Sequence, residues 1–309
     1  MISRRNIRIK VMQLLYMMET ADDRQLFKNP VQELQKQLDK SRELFVYIIG
    51  FLIEVARYAE TDAKLRASKN LTTEDDLNVN TKLAGNELLW EILESETYKK
   101  AQEIDGVHLR VDKELVRKLY LDLVQTQEYK AYITEQGRDR KKEKEILKYI
   151  FTHLMLPSEV FEAHLEEMFN NWDDDGEMIE QLILNYLQKP SAYSLQEMLG
   201  EEKWKFARTL LTTVFNKKEQ ALELIKPKLK NWDAERIAVL DMIIMQMGVC
   251  ELLYFETIPA KVTINEYIDI AKDYSTPQSG QFVNGILDGI HKDLIAEDKL
   301  QKIDFKKKG

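Results

Sequence analysis

The chain predicts an all-α fold, and three observations carry that expectation. Glycine and proline are scarce, at 11 and 6 of 309 residues, too few for a protein built on many tight turns. The longer apolar patterns repeat with a period near 3.6 residues, as one face of a helix does. No series of alternating apolar and polar residues is long enough to make a set of strands. With 44% apolar and 32% charged residues, the chain has enough material for one large helical core or two to three smaller units.

Taken in order, residues 4–20 begin with charge and become amphipathic, with Ile7, Val11, Leu14 and Met18 at helical intervals and Leu15 widening the stripe. Arg4, Arg5, Arg8 and Lys10 stand at the start of this segment, where the helix dipole disfavours cations. An anionic partner would offset that cost. Residues 31–69 predict a second helix with a strongly apolar centre from Leu44 to Ile53. The polar, turn-forming stretch from Lys69 to Asn80 predicts an exposed loop. Helix resumes over 82–100 and again over 112–135. After Gly137, the basic residues Arg138, Arg140, Lys141, Lys142 and Lys144 are interleaved with Asp139, Glu143 and Glu145, which predicts a solvated helix face.

A faint repeat follows. Asn171-Trp-Asp173 recurs as Asn231-Trp-Asp233, displaced by 60 residues. In that register Ile150, Phe151 and Thr152 match Leu210, Leu211 and Thr212, Leu165 matches Ile225, Phe169 matches Leu229, Ile183 and Leu184 match Ile243 and Ile244, and Leu187 matches Met247. Two similar helix–turn–helix units, or two amphipathic helices agreeing by chance, both give this pattern. Residues 234–255 are apolar nearly all round and predict a central helix. Pro259 ends it or opens the next element, in which Thr263 and Glu266 have capping-box spacing, the alternative being a helix that already starts at Ala260. Thr276-Pro277 fits a helix N-cap followed by proline, ahead of a stripe of Phe282, Ile286 and Ile290. Gly285 and Gly289 in that helix predict a close approach by a neighbouring backbone. The tail, with Lys299, Lys302, Lys306, Lys307 and Lys308, is basic and expected to fray.

Charge and cysteine content narrow the function classes. The net charge is −8 and the isoelectric point about 5.3, which argues against a general nucleic-acid binder coated in positive charge but leaves room for a local basic footprint. Cys250 is the single cysteine, so an intramolecular disulfide and a cysteine-rich zinc site are both ruled out. Its apolar surroundings predict a small core residue. The N-terminus lacks the apolar stretch of a signal peptide, and no window offers the ~20 apolar residues that span a bilayer. The expected compartment is the cytoplasm.

Chemistry-bearing constellations are few. His108, His153, His164 and His291 lack ligand spacing. The acidic run Asp173–Glu177 resembles part of a calcium loop, but with Gly176 in sixth place Leu182 falls where the bidentate glutamate belongs. There is neither a glycine-rich phosphate loop nor a nucleophile elbow. No catalytic residues, cofactor or metal are expected. The positive case is RNA: Arg4, Arg5 and Arg8, with Lys10, suit phosphates and unpaired base edges. Gln278, Ser279 and Gln281 can exchange hydrogen bonds with bases, and Phe282 can stack on one. Against this, the arginines also read as ordinary surface charge and Phe282 as the start of a core stripe. The two groups make one site only if residues 4–8 and 276–282 meet in space.

These residues resemble the NusB family of bacterial transcription antitermination factors. The resemblance spans Trp204–Leu294 and Ser3–Met18, little more than a third of the chain. It rests on the arginine-rich first helix, the apolar helix ending in Glu251-Leu-Leu, the run Ile258-Pro-Ala-Lys-Val-Thr-Ile-Asn-Glu266 and the closing Phe282-Val-Asn-Gly-Ile-Leu-Asp288. It implies a NusB-like helical bundle and a non-enzymatic adaptor that recognises boxA-like single-stranded RNA. The implied partners are NusE, a ribosomal protein, and the transcription elongation complex, with a role in rRNA operon transcription. By position the arginine-rich motif falls on Arg4, Arg5 and Arg8, and the boxA-contacting turn on Pro277–Phe282. Relatives commonly carry Asp-Ser-His-Lys-Phe where this chain has Gln278-Ser-Gly-Gln-Phe282, so the ring is kept while the acid, imidazole and ammonium groups are lost.

The chain is much longer than the family core. We therefore expect an N-terminal helical part over 1–69, an inserted helical region over 70–200, a NusB-like bundle over 201–297 and a basic tail over 298–309. The first alternative is a protein–protein scaffold without intrinsic RNA affinity. The second is an RNA cytosine methyltransferase, some of which carry a related helical domain; the glycine-rich cofactor domain it would need is missing.

Overall fold

Side-chain caps set many of the helix starts in the first half of the chain. In the computed structural model, which describes residues 2–22, 28–229 and 237–303, the Ser3 hydroxyl accepts from the Asn6 amide at 3.1 Å and starts helix α1, Arg4–Thr20. Helix α2, Pro30–Ala67, carries the apolar centre expected around Leu44–Ile53, and those side chains are buried. The polar stretch after it is not wholly loop. Thr73 and Asp76 form a reciprocal capping box around one helical turn, α3, Glu74–Leu77.

Two expected helices are each divided. Ser95 is extended and separates α4, Glu87–Glu94, from α5, Glu96–Asp105. The short α6, Val107–Arg110, follows Gly106, whose φ of +56° is the left-handed turn that glycine permits. Asp112 caps α7, Lys113–Gln125, by accepting from the Glu114 and Leu115 amides. Thr126 ends it and caps α8, Gln127–Thr134, at 3.2 Å from the Tyr129 amide. At Thr126 a capping hydroxyl competes with the helical backbone, so the 3.6-residue pattern runs through a break it does not reveal, whereas the break at Ser95 has no side-chain cap.

Helix α9, Arg140–Tyr149, bears the basic run, and one of its residues departs from the expected solvated face. Glu143 is buried, accepting from the Tyr132 hydroxyl at 2.9 Å, Arg138 at 3.1 Å and the Glu87 amide at 2.7 Å. Residues Ile150–Met155 then form a π-helical turn, with the Leu156 amide bonded to the Phe151 carbonyl at 3.0 Å. Helices α10, Glu159–Met168, and α11, Trp172–Gln188, follow, then a 3-10 turn at Pro190–Ala192. Most apolar matched positions of the repeat are buried in both copies, while Leu184 and the threonines Thr152 and Thr212 are half-buried; Ile150 and Phe151 are π-helical, whereas Leu210 and Leu211 lie in the α-helix Glu201–Asn216. Asn231-Trp-Asp233 lies outside the described residues.

Helices α12, Glu201–Asn216, and α13, Lys218–Ile225, lead through a 3-10 turn, Lys226–Leu229, to α14, Val239–Tyr254. Pro259 is the N-cap of α15, Ala260–Tyr274. Thr263 therefore stands inside that helix rather than capping it. Helix α16, Ser279–Ala296, starts later than the expected Thr276-Pro277 cap, because Thr276 and Ser279 first close a turn between themselves.

Contacts divide the chain into two units, Leu38–Met198 and Ile2–Gln37 with Leu199–Gly309. The first has an aromatic core in which Tyr47, Phe51, Phe161, His164 and Phe169 pack ring against ring. In the second, α14 is packed by α1, α12, α13, α15 and α16, so its all-round apolarity meets a neighbour on every side. Its close approach is at Gly248, where an added Cβ would stand 2.8 Å from Leu287 Cδ1. Gly285, expected to serve that purpose, faces open space, and Gly289 faces only the stem of Lys228 at 3.6 Å. Lys302 does not fray; it donates to the Glu251 and Phe255 carbonyls at 2.9 and 2.8 Å, satisfying the C-terminal end of α14. Lys306–Lys308 lie outside the described residues.

Candidate nucleic-acid interface

The arginines of α1 divide by depth. Arg8 is 2% exposed, and its guanidinium forks onto Glu251, with Nε to Oε2 at 2.9 Å and Nη2 to Oε1 at 2.8 Å. Its Nη1 reaches Glu266 at 3.2 Å, and the group lies 5.4 Å over the Phe206 ring. Glu251 is fully buried and also accepts from the Thr263 hydroxyl at 2.8 Å and the Tyr267 hydroxyl at 3.1 Å. Burial alone would lower the Arg8 pKa, but the hydrogen bonds and charge of Glu251 outweigh it and raise the guanidinium above its ordinary value. Burial and the same carboxylate raise the Tyr267 phenol well above its usual range. Arg8 thus ties α1 to α14 and α15. Lys10 is interior too, at 5% exposed.

Arg4 and Arg5 stay on the surface. Arg4 bonds Glu202 at 3.0 Å and stacks 5.4 Å over Phe206. Arg5 bonds Asp273 at 2.6 Å and lies 3.8 Å from Asp269, both near the end of α15. This contact brings the start of α1 to the residues just before the turn at 275–278. In that turn Thr276, Pro277 and Gln278 are exposed, as is Gln281 on the first turn of α16, while Phe282 is half-buried. Ser279 is buried instead. Its hydroxyl donates to Asp241 at 2.8 Å and packs against the Ser275 and Thr276 hydroxyls at 3.0 and 2.8 Å. Gly280 lets α16 start beside α15, since a Cβ there would meet Lys272 Cγ at 2.6 Å.

Sequence reasoning missed Glu251, Glu266, Asp241, Asp269 and Asp273, which hold the arginines and the turn. For Asp241 and Glu251 a signal existed: they are the only charged residues in the apolar run 239–254. A carboxylate placed there needs a partner. Among the described residues no cluster of His, Cys, Asp and Glu is arranged to hold a metal ion, and no helix is long and apolar enough to cross a membrane.

The NusB family model matches residues 164–292. The transcription antitermination protein NusB of Bacillus mycoides is 42% identical over 91 residues, covering 29% of this chain and 70% of that protein. The chain belongs to the NusB family. The NusB protein of Salinibacter ruber is 44% identical over 97 residues, 31% of this chain and 61% of its own length. That of Methylacidiphilum infernorum is 47% identical over 83 residues, 27% of this chain and 58% of its own length. The chain thus spans about three fifths of the length of these two NusB relatives. A solved NusB structure from T. maritima matches at 36% identity over 34% of this chain and 77% of that one, with a TM-score of 0.31. The NusB assignment agrees with an all-α chain that carries helices beyond the matched region.

Proposed function

We propose that this chain is an RNA-binding transcription antitermination factor that recognises boxA-like single-stranded RNA together with the ribosomal protein NusE and supports rRNA operon transcription in the cytoplasm. One observation carries the reading: the half-buried Arg5 reaches Asp273, so the cations that open α1 stand at the helix end that leads into the exposed turn of Thr276, Pro277 and Gln278. Arg4 and Arg5 neutralise phosphates, Gln278 and Gln281 meet base edges, and Phe282 offers its ring. Arg8, Lys10 and Ser279 support that face from within. Residues 70–200 act as an inserted region that enlarges the surface offered to protein partners of the elongation complex.

The test is titration of a boxA-like RNA against the parent chain and an Arg4→Ala/Arg5→Ala variant across a salt series. The variant should bind more weakly, with the slope of log K against log salt reduced by about 0.7 per lost phosphate contact. An unchanged affinity and slope would exclude these arginines from the interface. If the parent binds no RNA with or without NusE, a protein–protein scaffold takes the place of this reading.

A further inference from the structure

We infer that Glu202, Asp269 and Asp273 are built-in competitors for RNA phosphates, so that the chain alone holds RNA more weakly than its exposed arginines would otherwise allow. This rests on the reading of the α1 face as an RNA interface. Both surface arginines of that face already donate to carboxylates: Arg4 to Glu202 at 3.0 Å and Arg5 to Asp273 at 2.6 Å, with Asp269 at 3.8 Å. Those carboxylates are accessible, with 86%, 56% and 50% of their side-chain surfaces exposed. Lys272 shares Asp269 at 3.4 Å. Three cations against three carboxylates make a patch that is locally neutral, although its sequence motif looks basic.

Helix electrostatics show that the arrangement is not a by-product of local stability. Arg4 and Arg5 occupy the first turn of α1, where the dipole disfavours cations, and Asp273 the last turn of α15, where it disfavours carboxylates. Neither placement helps its own helix. Each is offset only across the gap, where Arg5 faces the negative end of α15 and Asp273 the positive end of α1. A phosphate that takes the Arg5 Nη2 donor must displace the Asp273 oxygen. The displaced carboxylate stays within a side chain's length of the bound anion and repels it. An exposed pair of this kind is weak, so each changes affinity by a factor of up to about five.

The experiment compares the full-length parent with Asp269→Asn/Asp273→Asn and, separately, Glu202→Gln, using fluorescence anisotropy of a boxA-like single-stranded RNA. The control, Asp293→Asn/Glu297→Gln, makes the same net-charge change in and just beyond the last turn of α16, about 20 Å or more along that helix from Ser279. The double asparagine variant should tighten binding about three- to tenfold at low salt, with the gain fading toward about 0.5 M as screening sets in. Glu202→Gln should give a smaller gain of the same sign. Unchanged or weaker binding by the asparagine variant overturns the inference while leaving the RNA reading intact; weaker binding would mean the carboxylates pre-orient the arginines. Equal tightening by the control also overturns it, since net charge would then suffice. Loss of all arginine-dependent RNA binding in the parent removes the underlying reading, and this inference with it.

Discussion

Replacing Arg8 by alanine should cost this protein a large part of the stability of its C-terminal unit. Among the described residues, the substitution leaves Glu251, fully buried, with the Thr263 and Tyr267 hydroxyls as its side-chain donors. Breaking a buried pair by removing one partner costs about 3–5 kcal/mol, because the surviving charge stays desolvated. Against a total of roughly 5–15 kcal/mol for a folded domain, that is a third or more in many cases. The assay is urea unfolding followed by tryptophan fluorescence in a Trp90→Phe/Trp172→Phe background, which removes the reporters of the other unit. The paired variant Arg8→Met/Glu251→Leu, made together with Thr263→Val and Tyr267→Phe so that no buried hydroxyl loses its acceptor, tests the cause, since replacing the whole group by apolar side chains of similar size should recover most of the loss. A loss below about 1 kcal/mol in Arg8→Ala, or a paired variant no more stable than the single one, would refute the reasoning.

Other perturbations probe the same unit. Ser279→Ala removes the hydrogen bond to Asp241, whose second carboxylate oxygen is buried and has no hydrogen-bond partner among the described residues, so thermal unfolding should report a loss of about 1–3 kcal/mol. No measurable shift would show that the turn holds without that contact. Gly285→Ala, which meets open space, should stabilise by about 0.4–1 kcal/mol, whereas Gly248→Ala, pressed onto Leu287, should destabilise by about 1–3 kcal/mol. Equal signs for the two would contradict the packing described. Burial, partly offset by the charge of Lys217, raises the Cys250 thiol from 9.0 to about 12. The unfolded thiol therefore ionises first, and the contribution to stability that is complete below pH 9.0 is lost as pH climbs toward 12. At pH 8 a thiol-reactive probe should label Cys250 far faster in urea than in buffer; equal rates would place the thiol at the surface.

Much of the secondary structure was legible because helix periodicity is a local property. The spacing of Ile7, Val11 and Leu14 marks α1, and the all-round apolar run marks α14. Breaks at Ser95 and Thr126 were hidden: the Thr126 hydroxyl caps α8, and at Ser95 one residue turns extended with no side-chain cap, and neither event disturbs the apolar rhythm. Gly285 and Gly289 misled for a related reason: a missing side chain is visible in sequence, but whether a neighbour fills the space is not. At the candidate interface the arginine cluster was plain, while the division of labour within it was not. Arg4, Arg5 and Arg8 look alike in one dimension.

Composition, periodicity and a few capping residues thus determined by themselves that this chain is helical, that α14 lies at the centre of its unit and that α1 opens with cations at the disfavoured end. These follow from residues close together in the chain, whose interactions do not wait on folding. Tertiary structure decided which cation is spent inside and which stays on the surface. Arg8 meets Glu251 across 243 residues and Arg5 meets Asp273 across 268, and only a folded core brings such partners within bonding distance. Burial then turns the first pair into a structural tie, while solvent leaves the second open to exchange with another anion.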